Sequence, residues 1–120
     1  MSTRKQLAAL VAALAVCSFW VGAGLSQTIV TDEAGNSEEI YEIGTFYAAP
    51  GAQLTYDYCT ACHSEMIIVQ QGQTRENWDD LLVWMVEEMG MGEIIEEDRD
   101  RILDYLATHY NPDRPHFPRN

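Results

Sequence analysis

Two cysteines and a histidine, in Cys59-Thr60-Ala61-Cys62-His63, are the residues of this chain best placed to do chemistry. In the pattern C-x-x-C-H, two thiols three positions apart can each add across a vinyl group of one porphyrin, and the histidine that follows can reach the iron. The five residues therefore supply two thioether anchors and one axial ligand for a single covalent haem c. A bare C-x-x-C would also suit a thioredoxin-type disulfide or half of a zinc site, but a histidine in the next position fits neither pattern.

A second axial donor has to come from Met66, Met85, Met89, Met91, His109 or His116. Met66 follows His63 too closely to pass around the porphyrin to its other face. Met85 and Met89 fall on the apolar stripe of an expected helix, where methionine more often fills core space than binds metal. Met91 stands between Gly90 and Gly92, off any helix, where the backbone can approach a flat cofactor closely. Met91 is the preferred donor, with Met85 and Met89 as the alternatives. His109 reads as the polar edge of a packing face, and His116 belongs to a proline-rich tail. Thioether ligation raises the potential of the iron, which suits an electron carrier better than a catalyst that activates oxygen. Trp78, Trp84, Tyr105 and Tyr110 read as core and haem-packing residues; an indole N–H, a phenol or the Arg75 guanidinium is a candidate partner for a propionate.

The elements that must position these groups are helices. Leu54, Tyr58 and Cys62 recur every four residues and predict a short helix over 52–63, punctuated at its start by Pro50 and Gly51. Ile67-Ile68-Val69 is expected to pack over the porphyrin edge as a loop. Thr74 opens a helix over 75–89 whose face carries Trp78, Leu81, Leu82, Met85, Val86 and Met89. Gly90-Met91-Gly92 breaks it. A last helix over 97–110 presents Ile102, Tyr105, Leu106 and His109, with Glu96, Glu97 and Asp98 complementing the dipole at its start and Asn111-Pro112 stopping it. No segment reads as a strand, and the fold class expected is all-α.

Residues 1–26 read as a signal peptide: Arg4 and Lys5 precede an uncharged apolar run over 7–25 that ends in Gly24-Leu25-Ser26. Cleavage there leaves 94 residues beginning at Gln27. The run is close to the length needed to cross a bilayer, so retention as an anchor is the alternative, and only retention would place the protein on a membrane. Cys17 reads as an apolar residue of the signal. The remaining organisation is an irregular arm over 27–49, the haem domain over 50–111 and a tail over 112–120.

The full chain carries a formal charge of -12, and loss of Arg4 and Lys5 leaves five arginines against nineteen acidic residues, or -14. Such a balance argues against nucleic acid and anionic membrane as partners and favours docking on a basic patch of another protein. A mature chain this small buries too little apolar surface to be comfortable alone, so a haem would form much of its core.

Several of these segments together resemble a known family. The residues are Tyr58-Cys59-Thr60-Ala61-Cys62-His63-Ser64, the Gln70-Gln71-Gly72 turn, Trp78-Asp79-Asp80-Leu81-Leu82-Val83-Trp84-Met85-Val86-Glu87-Glu88 with Gly90-Met91, and Asp100-Arg101-Ile102-Leu103-Asp104-Tyr105-Leu106-Ala107. Over 50–110 the chain resembles class I c-type cytochromes, and more narrowly the small cytochrome subunits that partner periplasmic molybdenum sulfite dehydrogenases. The resemblance implies a small domain wrapped around one haem, His63 and Met91 as axial ligands, and a periplasmic location. It further implies electrons taken from the molybdenum catalytic subunit and passed to a downstream cytochrome or oxidase. A general periplasmic carrier, soluble or anchored and unrelated to sulfite, is the alternative. In neither reading is the chain an enzyme in its own right.

Overall fold

Six elements follow one another in the computed structural model, which describes residues 27–115: β1 (Thr28–Thr31), β2 (Ser37–Ile40), α1 (Ala52–Cys59), α2 (Met66–Val69), α3 (Arg75–Glu87) and α4 (Glu96–His109). The expected signal peptide over 1–26, with Cys17, lies outside the described residues, as do residues 116–120 with His116. No helix among the described residues is long and apolar enough to cross a membrane.

The arm over 27–49 is not irregular. Its first half is an antiparallel hairpin in which Thr28 pairs with Ile40 and Thr31 with Ser37. The turn closes through Asp32, whose two carboxylate oxygens accept from the Asn36 N–H and from Asn36 Nδ2, each at 2.8 Å. Those bonds, the side-chain one first, hold the Asp32 carboxyl below its ordinary range. Gly35, at φ +86°, supplies the left-handed residue that the turn needs. Two strands of four residues, one of them Ser-Glu-Glu-Ile, are too short and too polar to give a readable alternation. What stabilises them is the rest of the domain.

Glu38 makes that connection. Its carboxylate accepts from the backbone N–H of Gly51 at 2.8 Å and of Gln53 at 3.2 Å, and it pairs with Arg101 Nη2 at 3.0 Å. The first N–H groups of a helix have no partner within it. Here a carboxylate from the hairpin satisfies two of them and ties α1 to α4 at the same point. Gln53, 5 % exposed, completes the seam: its Oε1 accepts from the N–H of Tyr41 and of Glu42, and its Nε2 donates to Glu42 O and Asp57 Oδ1.

Helix α1 ends at Cys59, four residues short of the expected 63. Thr60 folds its N–H and its hydroxyl back onto Tyr56 O, at 2.9 and 2.7 Å, and the chain turns away. The segment expected as a loop at 67–69 is instead the one-turn helix α2, with Ile68 buried and Ile67 exposed. Thr74 caps α3 as expected, its Oγ1 accepting from the Asn77 N–H at 3.3 Å. Helix α3 stops at Glu87, so Met89 falls beyond it, and Trp78 and Leu82 are its buried residues.

Helix α4 is the common wall. It runs antiparallel to α1, with Gly51 against Tyr105 and Arg101 at one end and Tyr58 Oη donating to Asp98 Oδ2 at 3.0 Å at the other. It also runs antiparallel to α3, through pairs from Arg75 to Asp104 and Asp100 and from Asp79 to Arg99. Ile102, Leu103, Tyr105 and Leu106 face inward between them, joined by Ile40 and Phe46 from the arm.

Gly51 lies where the first crossing is tightest. Its φ is +88°, and a Cβ there would stand 3.0 Å from Tyr105 Cβ and 3.2 Å from Arg101 O. Gly51→Ala combines a left-handed non-glycine residue with this overlap and should cost about 1–3 kcal/mol. A thermal melt of the variant should show a lower midpoint; an unchanged midpoint would mean that α1 can move off α4 without penalty.

Candidate functional site

Cys59 occupies the C-terminal end of α1, Cys62 lies in the exposed turn that follows, and His63 is half-buried directly after it. Both thiols are free. Cys59 packs against the core, and burial pushes its thiol up to about 12. That environment is the reverse of what a redox disulfide needs. A thioredoxin-type nucleophile sits at a helix N-terminus with a lowered pKa, whereas Cys59 sits at the negative end of a helix dipole and stays protonated. Among the described residues no group of three or more His, Cys, Asp or Glu gathers that could hold a metal. A thioether anchor needs neither ionisation nor further ligands, and the cysteine pair fits that role.

His63 is set up in the same way. Its Nδ1 lies 3.3 Å from Ser64 O, a carbonyl that can only accept, so this contact is satisfied by an Nδ1–H donor. Metal-bound histidines are oriented by this kind of bond at the opposite ring nitrogen. The following loop is held by Glu65, whose carboxylate accepts from Ser64 Oγ at 3.0 Å and from the Thr45 N–H and hydroxyl. These bonds, the Ser64 hydroxyl first, keep the Glu65 carboxyl below its usual range.

Met91 is half-buried on a separate loop. Gly90, at φ +74°, turns the chain so that the Met91 N–H donates to Met85 O at 3.0 Å, wrapping the loop over the end of α3. Because α1 and α3 both run antiparallel to α4, the end of α1 that carries Cys59, the end of α3 and the start of α4 share one end of the helical unit. Tyr58 Oη on Asp98 fixes the first of these to the last. The Met91 loop enters α4 there. Met85, also half-buried, belongs to the same region, and Met89 is 57 % exposed rather than core filler.

Arg75, a candidate partner for a propionate, pairs with Asp104 and Asp100 on α4. Trp78, fully buried, donates its indole N–H to Tyr110 O at 3.1 Å, and Tyr105 Oη donates to Tyr47 O at 2.8 Å. Trp84, expected as a core or haem-packing residue, is exposed on α3 beside Val83. With Met66, Ile67 and Met89 these side chains offer apolar surface that the protein itself does not cover. Glu65 and Thr45 were not singled out by sequence, because a polar pair twenty residues apart carries no spacing signal.

The charges of the arginines are largely spent inside the molecule. Arg75, Arg99 and Arg101 pair with carboxylates, while Arg114 donates to Val69 O and lies over the Tyr110 ring. The outward field is therefore that of the acidic residues. Comparison with family models, curated proteins and solved structures gives no match to this chain.

His109 lies apart, stacked on Tyr47 at 4.7 Å and tilted against Tyr105 at 5.1 Å. Burial lowers its pKa from the ordinary 6.5. The unfolded chain thus binds this proton more readily, so the stability the neutral ring contributes is complete above its unfolded pKa and declines as pH falls through the folded value. Relative to His109→Phe, wild type should lose thermal stability between about pH 7.5 and about pH 5.5. Paired melts check this, and a parallel response of both proteins would remove His109 as the titrating group.

Proposed function

We propose that this chain is a monohaem c-type cytochrome that carries single electrons in the periplasm. It takes them from the catalytic subunit of a molybdenum sulfite dehydrogenase and passes them to a downstream cytochrome or oxidase. The observation that carries the haem reading is the pair of free thiols at and just beyond the C-terminal end of α1, followed at once by a histidine with its Nδ1 turned to a carbonyl. The choice of donor rests on the likeness of 50–110 to the cytochrome subunits of sulfite dehydrogenases and on the acidic surface.

When bound, the haem supplies a one-electron Fe(III)/Fe(II) couple. Cys59 and Cys62 would hold the porphyrin through thioethers, and His63 through a ring nitrogen and Met91 through its sulfur would ligate the iron. The protein's own part is to keep both axial donors in place as the charge changes, so that little reorganises. Cys62 and its turn are exposed, so a partner could approach a group held there. The unpaired carboxylates orient a basic surface toward the protein and raise the encounter rate.

Stopped-flow mixing of the oxidised protein with a molybdenum sulfite dehydrogenase and sulfite should reduce it rapidly, with a rate that falls as salt shortens the Debye length from roughly 30 Å to roughly 8 Å. A low-spin c-type spectrum that stays oxidised would leave a general carrier with another donor. Met91→Ala should lower the potential and introduce high-spin character in the visible spectrum. An unchanged spectrum would transfer the ligand role to Met85 or Met89.

A further inference from the structure

Glu65 has a partner that no electron carrier needs for attaching a cofactor. The arm bends back over the segment behind His63, and Gly44 and Thr45 meet Glu65 there. Gly44 has φ +54°, and a Cβ on it would stand 2.5 Å from Glu65 Oε1. The left-handed backbone favours glycine here, and a side chain at 44 would displace the Glu65 carboxylate. The adjacent Thr45 donates from its N–H to Glu65 Oε1 at 3.4 Å, and its hydroxyl lies 3.3 Å from the same oxygen and 3.4 Å from Met66 Sδ. One hydroxyl proton serves both acceptors, so the threonine bridges two consecutive residues of the loop. The other carboxylate oxygen, Oε2, accepts from Ser64 Oγ, and Ser64 Oγ in turn accepts from the Met66 N–H at 3.3 Å. Ser64 is the residue whose carbonyl faces His63 Nδ1.

We infer that Gly44, Thr45 and Glu65 form a clamp that positions His63 by holding Ser64 through its hydroxyl, while the Ile67 N–H donates to the Ser64 carbonyl at 3.2 Å, and that the clamp thereby tunes the reduction potential of the iron. The inference rests on the haem reading above. The physical link is the basicity of the imidazole: a hydrogen bond from Nδ1–H to a fixed acceptor makes Nε2 a stronger donor and favours Fe(III). Loosening the carbonyl weakens that bond and favours Fe(II). Thr45 and Glu65 are positioning residues, since neither touches the iron.

Charge must be separated from geometry, because removing the Glu65 carboxylate raises the potential by Coulomb's law alone. Gly44→Ala and Thr45→Val leave the charge in place and disturb only the clamp. Both should shift the potential of the haem-loaded protein upward and move the hyperfine-shifted NMR signals of the His63 ring, while Thr45→Ser, which keeps the hydroxyl, should match wild type. Glu65→Gln should also shift the potential upward. A shift in Glu65→Gln with wild-type values in Gly44→Ala and Thr45→Val would overturn the clamp and leave an electrostatic effect only. If Gly44→Ala does not fold, Thr45→Val against Thr45→Ser decides the matter. A wild-type protein that matures without covalent haem would overturn the cytochrome reading and this inference together, whereas haem-loaded variants with unchanged potentials would overturn the inference alone.

Discussion

The close packing of α1 on α4 is the constraint from which the rest of the structure follows. Gly51 lets the start of α1 press on Tyr105 and Arg101, and Tyr58 at the other end is bonded to Asp98. A helix of eight residues has little stability of its own, since a costly nucleus is followed by few propagating bonds. Its position is therefore set by what it packs against. Cys59 inherits that position, being its last residue, and the direction in which Cys62 and His63 leave is set by the Thr60 turn onto Tyr56.

Electrostatics reinforces the same arrangement from outside. Each of the three arginines between α3 and the end of α4 is used to join elements: Arg75 and Arg99 join α3 to α4, and Arg101 joins α4 to the hairpin. Exposed pairs of this kind contribute little energy singly. Their larger effect is on the outward potential. By placing Arg75, Arg99 and Arg101 against carboxylates, the fold uses these positive charges within the molecule.

The arm joins structure to function. Glu38 and Gln53 bind it to α1, Phe46 inserts into the core beside Tyr56, Tyr105 and Tyr110, and Gly44 with Thr45 reaches the loop behind His63. A segment outside the expected haem domain thus supplies helix capping, core volume and support behind the expected axial histidine. Residues on both sides of the boundary expected at 50 share one core, with Ile40 and Phe46 packed among Ala52, Ile102 and Tyr105.

What the sequence determined by itself is the local chemistry and the strongest periodicities. The C-x-x-C-H spacing is a property of five consecutive residues, so it needs no fold to be read. Helices α3 and α4 were legible because their apolar residues recur over three turns or more and because Thr74 and the Gly90-Met91-Gly92 break mark boundaries by backbone chemistry. The hairpin was not legible: strands of four polar-rich residues are held by Glu38 and Ile40 against α1 and the core, contacts that join positions far apart in sequence. For the same reason only the tertiary structure assigned Arg75 to Asp100 and Asp104, gave the Trp78 indole to Tyr110, exposed Trp84 and Met89, and brought Gly44 and Thr45 onto Glu65. A hydrogen bond or ion pair between distant residues leaves no periodic trace in the chain, because its partners are chosen by how the helices pack.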